Sequence, residues 1–193
     1  MFESDLLDRL SRVHPSVPLV VFLPAIAVLL VLSVRDASGL EIAATIVGGY
    51  LFWTLTEYWL HRVVFHFEPE AGIGARLHWM MHGVHHDHPN DPLRLVMPPS
   101  VSIPLASAFC ALFVLVLGTP AAWSFGAGFL AGYLAYDMTH YHVHHHAPRS
   151  RLGKLVRELH MRHHFQDHTR GFGVSAPFWD YLFGTPLRRP ARR

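Results

Sequence analysis

The sequence predicts an all-α protein embedded in a membrane, with four transmembrane helices in two hairpins and a histidine-rich helical cap on the cytoplasmic side. Three observations carry that prediction. The chain is 51% hydrophobic and only 16% charged, with mean hydropathy +0.23, whereas soluble domains carry about a quarter charged residues. A stretch from Leu95 to Tyr136 contains no charged residue. Of the 17 histidines, all but His14 lie between His61 and His168, in two blocks on either side of that stretch.

The elements follow from the apolar runs. A bilayer crossing needs about 20 apolar residues. Pro15 to Val34 and Ile42 to Thr56 are uncharged, and Leu95 to Tyr136 is broken near its middle by Gly118, Thr119 and Pro120. Spans are therefore expected at roughly 15–34, 41–60, 98–117 and 120–138. A cleaved signal peptide fits poorly, because Glu3, Asp5, Asp8, Arg9 and Arg12 mix both signs and no small-residue cleavage site follows. The first span reads as a permanent anchor. No internal repeat or linker divides residues 1–193, so a single domain is expected.

Lysine and arginine bias sets orientation. The two hairpin turns hold Arg35 and no basic residue, respectively. The segment between the hairpins holds Arg62, Arg76 and Arg94, and most of the remainder follow the fourth span. Both termini and both histidine blocks are expected on the cytoplasmic face of a multi-pass membrane protein. The tail from Arg188 to Arg193 reads as a contact with anionic headgroups rather than with nucleic acid. The single cysteine, Cys110, lies in an apolar run, which excludes a disulfide framework and a cysteine-based zinc site.

Spacing sorts the histidines. His82, His85 and His86 share a helical face, as do His140 and His144, and His160, His163 and His164. His61 and His66 are five apart and diverge by about 140° on an ideal α-helix, so they serve different metals unless the helix loosens there. These ten imidazoles are too many for one ion and suit a dinuclear site. Imidazole accepts Fe, Cu, Ni and Zn alike, so spacing leaves the metal open. His14, His88 and His168 read as caps or headgroup contacts. His142, His145 and His146 read as neighbours of the ligands or solvent-exposed, and His78 is open.

Asp137, three residues before His140, and Glu57, four before His61, are the carboxylates best placed to accept the second ring N–H of a metal-bound histidine. Trp53, Trp59, Trp79, Phe178, Trp179 and Tyr181 suit either an interfacial aromatic belt or the lining of a lipid access path. A metal carrier would place ligands at mid-membrane. No histidine falls inside an expected span, which disfavours a transporter or sensor.

The fragments Glu57-Tyr-Trp-Leu-His61-Arg-Val-Val-Phe-His66, His82-Gly-Val-His-His86, Asp137-Met-Thr-His140-Tyr-His-Val-His144 and His160-Met-Arg-His-His164 resemble the histidine boxes of the fatty acid hydroxylase and sterol desaturase superfamily. Two further stretches, Arg94-Leu-Val-Met-Pro-Pro99 and Gly171-Phe-Gly-Val-Ser-Ala-Pro-Phe-Trp-Asp-Tyr-Leu-Phe-Gly-Thr185, are similar to segments of fatty acid 2-hydroxylases. The resemblance covers about residues 40–187, the expected catalytic module. It implies a membrane monooxygenase of lipid metabolism, with two iron ions (zinc in recombinant protein) held by the ten histidines and O₂ as co-substrate. The expected reaction is hydroxylation of a lipid acyl chain at C2, of a fatty acid or a sphingolipid N-acyl group. The same boxes also serve sterol or carotenoid oxidases and desaturases. Many eukaryotic 2-hydroxylases carry a cytochrome b5 domain ahead of the membrane part, and the fourteen residues ahead of the first apolar run are not expected to form one. A separate cytochrome b5 or ferredoxin-type protein is therefore expected as electron donor.

Overall fold

The computed structural model describes Asp8 and residues 12–67 and 71–188, and those residues form helices with no strand. Three apolar helices, α1 (Val17–Ser33), α2 (Gly39–Trp59) and α5 (Pro99–Leu117), pack around a fourth, α6 (Ala121–His145). Short helices α3 (Gly72–His78) and α4 (Val84–Asp87) join α2 to α5, while α7 (Arg151–Phe165) and α8 (Phe178–Leu182) follow α6. Two π-helical turns interrupt the ordinary geometry, π1 at Leu60–Phe65, continuing α2, and π2 at Trp79–Gly83.

Local chemistry sets the boundaries. Ser38 and Glu41 cap α2 reciprocally: the Ser38 hydroxyl accepts from the Glu41 N–H at 3.3 Å and the Glu41 carboxylate accepts from the Ser38 N–H at 2.8 Å. Pro99 opens α5 at a position where a missing N–H costs nothing, and Ser150 caps α7 by accepting from the Gly153 N–H. The first three apolar helices match the expected spans closely. The fourth does not stop near 138 but continues to His145, because no proline or glycine interrupts it before Pro148.

α6 is the spine of the bundle. α2 approaches it so closely that a Cβ at Gly49 would stand 2.0 Å from the Phe125 carbonyl oxygen, and one at Gly128 2.0 Å from that of Ile46. Small residues let backbones meet where no water-driven collapse is available. Thr45 and Ser124 hydroxyls bond across the same contact at 2.6 Å. Trp53, Phe113, Phe129 and Tyr133 fill the core beside it. The outward faces are apolar: Leu40 and Leu115 are each 82% exposed, beside Val20, Val31 and Val116. The helix continuing from α2 (Gly39–Phe65) and α5 are long and apolar enough to cross a membrane, and α1 is apolar over 17 residues.

Candidate metal centre

The histidines meet at the ends of α2 and α6 against α4 and α7. The structure gathers the ten singled out by spacing into two groups of five. One comprises His61, His66, His82, His86 and His163, the other His85, His140, His144, His160 and His164, with the candidate ligand atoms of each group all within 4.8 Å of one another. The π1 turn explains the first pair. Its five-residue hydrogen bond, His66 N–H to His61 C=O, stacks residues five apart, and the two Nε2 atoms face each other at 3.1 Å. The helix does loosen there, and His61 and His66 fall in the same group.

The two HxxHH segments are divided between the groups in a way that shared faces do not anticipate. His82 and His86 face each other at 2.9 Å in the first group while His85 turns into the second, where its Nε2 meets that of His164 at 3.2 Å. His160 and His164 pair in the second group at 3.1 Å while His163 crosses into the first, 3.1 Å from the His66 Nε2. His144 and His160 close at 2.8 Å. Each box thus lends its middle histidine to the other group, which locks α4 and α7 together.

Such nitrogen contacts suit a shared cation. Imidazole nitrogens bound at about 2.1 Å to one ion stand about 3 Å apart when they occupy adjacent positions. Burial keeps the rings neutral, the form that ligates: it holds His66 down at about 2, His86 and His144 at about 3 and His163 at about 4, and His82, His85, His160 and His164 well below the ordinary range. Both nitrogens of His140 are buried without a hydrogen-bond partner. Burying an unpaired polar atom costs roughly 1–3 kcal/mol, a cost that a bound metal removes from Nε2. The residues present therefore fit two ions of nitrogen-rich coordination.

Ring orientation in the first group comes from backbone. The Nδ1–H of His61 donates to the Phe172 carbonyl at 2.6 Å, and that of His163 to the Arg170 carbonyl at 2.8 Å. A carbonyl only accepts, so these contacts fix the tautomer and leave Nε2 free. The sequence reading assigned that task near His61 to Glu57, and the structure corrects it. The buried Glu57 carboxylate accepts instead from the Ser175 N–H at 2.7 Å and from the Ser175 hydroxyl, holding the segment after Gly171 against α2. Asp137 is buried one turn before His140, beside the Tyr133 hydroxyl, and does not bond to His140. The Phe172 and Arg170 carbonyls carry no side-chain signature, and spacing could not have found them. Asp180, buried with three donors on its carboxylate, was visible only as an acid inside a glycine-rich stretch.

The remaining histidines lie outside both groups. His14 bonds to Ser16 before α1, His78 bonds to the Phe65 carbonyl, and His142 and His146 stack on each other. His168 lies 6.3 Å from His66, ring to ring, where a cavity of about 290 Å³ lined by Arg62, His66, His168, Thr169, Phe172 and Thr185 opens beside the first group. Trp53 is buried and lines an apolar cleft between α2, α5 and α6 with Ser102, Ala106, Phe109, Phe129 and Tyr133. Trp179 donates to the Thr54 hydroxyl, Trp79 donates to Asp87, Trp59 lies under the Arg62 guanidinium, and Phe178 and Tyr181 are exposed.

With this geometry in view, comparison with known proteins is decisive. The family model "Fatty acid hydroxylase" matches residues 46–185. The chain belongs to the fatty acid hydroxylase family. It is 39% identical over 189 residues to a dihydroceramide fatty acyl 2-hydroxylase of Arabidopsis thaliana, covering 95% of this chain and 78% of that one. It is 36% identical to the ceramide very long chain fatty acid hydroxylase of Saccharomyces cerevisiae, covering 95% of this chain and 48% of the yeast protein. A solved structure described as full-length scs7p with only the hydroxylase domain visible superposes with a TM-score of 0.89 at 33% identity, over 98% of this chain and 73% of the other. This hydroxylase is an enzyme of lipid metabolism, and its histidine-rich cluster is suited to metal.

Proposed function

We propose that this fatty acid hydroxylase is an O₂-dependent di-iron monooxygenase that hydroxylates C2 of an N-acyl chain on a ceramide-type lipid. The observation that carries the reading is the pair of five-histidine groups sharing one buried site at the end of an apolar bundle. The names of the relatives, which act on dihydroceramide or ceramide acyl groups, supply the substrate class. Two irons held by the two groups would supply reductive activation of O₂ and insertion of one oxygen atom into a C–H bond. The electrons come from a separate cytochrome b5 or ferredoxin-type protein.

The chain's own residues do the rest. His61 and His163 are held in register by carbonyls, and Glu57 and Asp180 keep the carbonyl-bearing segment in place. Leu130, Tyr133, Asp137, His140 and His144 recur every three or four residues along α6, so one helical face runs from the apolar cleft to the second histidine group. That face lies in the packed core of the bundle, where Phe109 and Phe129 stand 4.8 Å apart ring to ring. Burial keeps most of the ten histidines from water, while His66 also lines the cavity beside the first group. In the membrane, α1, α2, α5 and the first part of α6 form four spans, with both termini and the histidine cap on the cytoplasmic side.

Expression in a host lacking such an enzyme, with ¹⁸O₂ and lipid mass spectrometry, tests the reading. One labelled oxygen at C2 of N-acyl chains is expected. Label on sterols, on carotenoids or on the sphingoid base, or an unsaturation without label, would overturn it.

A further inference from the structure

The segment from Arg170 to Thr185 makes three consecutive peptide groups into one rigid strap. In the peptide joining Arg170 to Gly171, the carbonyl accepts from His163 and the N–H donates to the Thr185 carbonyl at 3.0 Å. The next N–H, that of Phe172, donates to one Asp180 carboxylate oxygen at 2.9 Å. In the peptide joining Phe172 to Gly173, the N–H donates to the other Asp180 oxygen at 2.9 Å while the carbonyl accepts from His61. Asp180 and His61 thus grip opposite sides of a single peptide plane. Glycine at 173 is required, because a Cβ there would stand 2.5 Å from the Ala176 carbonyl oxygen.

Asp180 is itself tied back to the helix that bears His61. Its oxygen accepts from the Thr185 hydroxyl at 2.8 Å. With that proton committed, Thr185 accepts from the Tyr58 hydroxyl at 2.8 Å, and Tyr58 accepts from Arg62 at 3.0 Å. Tyr58 is fully buried, and Asp180 is 3% exposed. Burial pushes the Asp180 carboxyl up from its ordinary value while its donors pull it back. The strap serves one histidine group only. In the second group, the Nδ1 atoms of His85, His140, His160 and His164 are buried without a hydrogen-bond partner.

We infer that Asp180 is a positioning residue for the first metal ion alone, acting on His61 through the Phe172–Gly173 peptide. Metal-bound histidines are commonly backed by a carboxylate, which fixes the ring and raises its basicity. Here a peptide is interposed. A carboxylate pulling on the N–H strengthens the carbonyl of the same plane as an acceptor, since hydrogen bonds in series polarise one another. The inference rests on the dimetal reading above, and it predicts that the two ions are unequal in their dependence on the C-terminal segment.

The test is chelator competition on the full chain, purified in detergent and loaded with zinc, with both ions followed by release. In Asp180→Asn, one of the two peptide N–H groups loses its acceptor. One ion is expected to weaken by about 10-fold or more, the scale typical of lost outer hydrogen bonds, with the other unchanged. His61→Ala identifies the affected ion: adding Asp180→Asn to it should leave release of the remaining ion unaltered. Equal weakening of both ions, no weakening, or an added effect in the double variant overturns the inference. If Asp180→Asn fails to accumulate, Thr185→Val serves instead. It removes the hydroxyl donated to Asp180 together with the acceptor of the Tyr58 hydroxyl, and leaves both peptide N–H bonds to the carboxylate. It should weaken the same ion by less; no effect there overturns the inference equally. Wild-type protein that binds fewer than two ions overturns the reading of the site, whereas two ions with no Asp180 effect overturns only the linkage.

Discussion

At the scale of single residues, the histidines divide by which group they serve rather than by which box they occupy. His163 illustrates this. It lies between His160 and His164 in sequence, yet it joins His61, His66, His82 and His86, and its ring stacks near that of His160 at 5.9 Å across the boundary between the groups. Its substitution therefore deprives the first group of a ligand while leaving the second complete. His163→Ala should be made and inserted, since the apolar helices do not need the metal, yet yield no hydroxylated lipid and retain one ion per chain. His14→Ala, on a residue bonded among the described residues to Ser16, should match wild type. Lipid mass spectrometry with metal analysis checks both, and near-normal product from the His163 variant would remove this box from the site. Eight of the ten histidines stood out in the sequence because imidazole at i, i+3 and i+4 is rare without a ligand, and His61 and His66, five apart, stood out as a pair that a loosened helix could align. Their partition was not legible, because it depends on helix rotation and on a π turn that spacing alone leaves open. Glu57 shows the same limit: one helical turn from His61 it looked like that ring's partner, but its carboxylate reaches Ser175 instead.

At the scale of elements, the contact between α2 and α6 decides how the histidine-bearing ends meet. α2 delivers His61 and His66 through π1, α6 delivers His140 and His144, and the distance between the two helices is set where Gly49 and Gly128 abut the opposite backbone. Gly128→Val would place Cβ against the Ile46 carbonyl and force the helices apart. Overpacking of this kind costs typically about 1–3 kcal/mol, and here it would also displace one histidine set from the other. A lowered melting temperature together with weakened binding of both ions is expected, unlike the single-ion effect of Asp180→Asn. A Gly128→Val variant with wild-type melting and metal content would show that the helix contact does not govern the site. The apolar helices were readable from the charge-free runs, because each run is bounded by charged or helix-breaking residues close to where the helix ends. The sequence set the end of the fourth span near 138 and put His140 and His144 on one helical face beyond it, without joining the two into the single helix that α6 is. The helix instead carries its hydrogen bonds onward until Pro148 removes a donor.

At the scale of the whole molecule, the protein joins an apolar bundle with few titrating groups to a cap that buries many imidazoles, and acid should separate the two. The sign follows from the direction of the shifts. In the folded cap, burial holds His66 near 2, His86 and His144 near 3 and His163 near 4, whereas the ordinary value is 6.5. Above 6.5 these rings are neutral in folded and unfolded chains alike, and their burial is unopposed. As pH falls below 6.5 the unfolded cap binds protons that the folded cap refuses, so stability is lost progressively toward the depressed values. Protons also compete with metal for Nε2. Acidifying purified protein from about pH 7.5 to about pH 5 should therefore release metal and increase hydrogen exchange across α4 and α7, while α1 and α5, which carry no histidine, stay protected. Excess metal should move the transition to lower pH, since a ligand that binds only the folded cap stabilises it by mass action. Exchange that rises first in α1 and α5, or a transition indifferent to added metal, would show that the cap is not held by its neutral histidines.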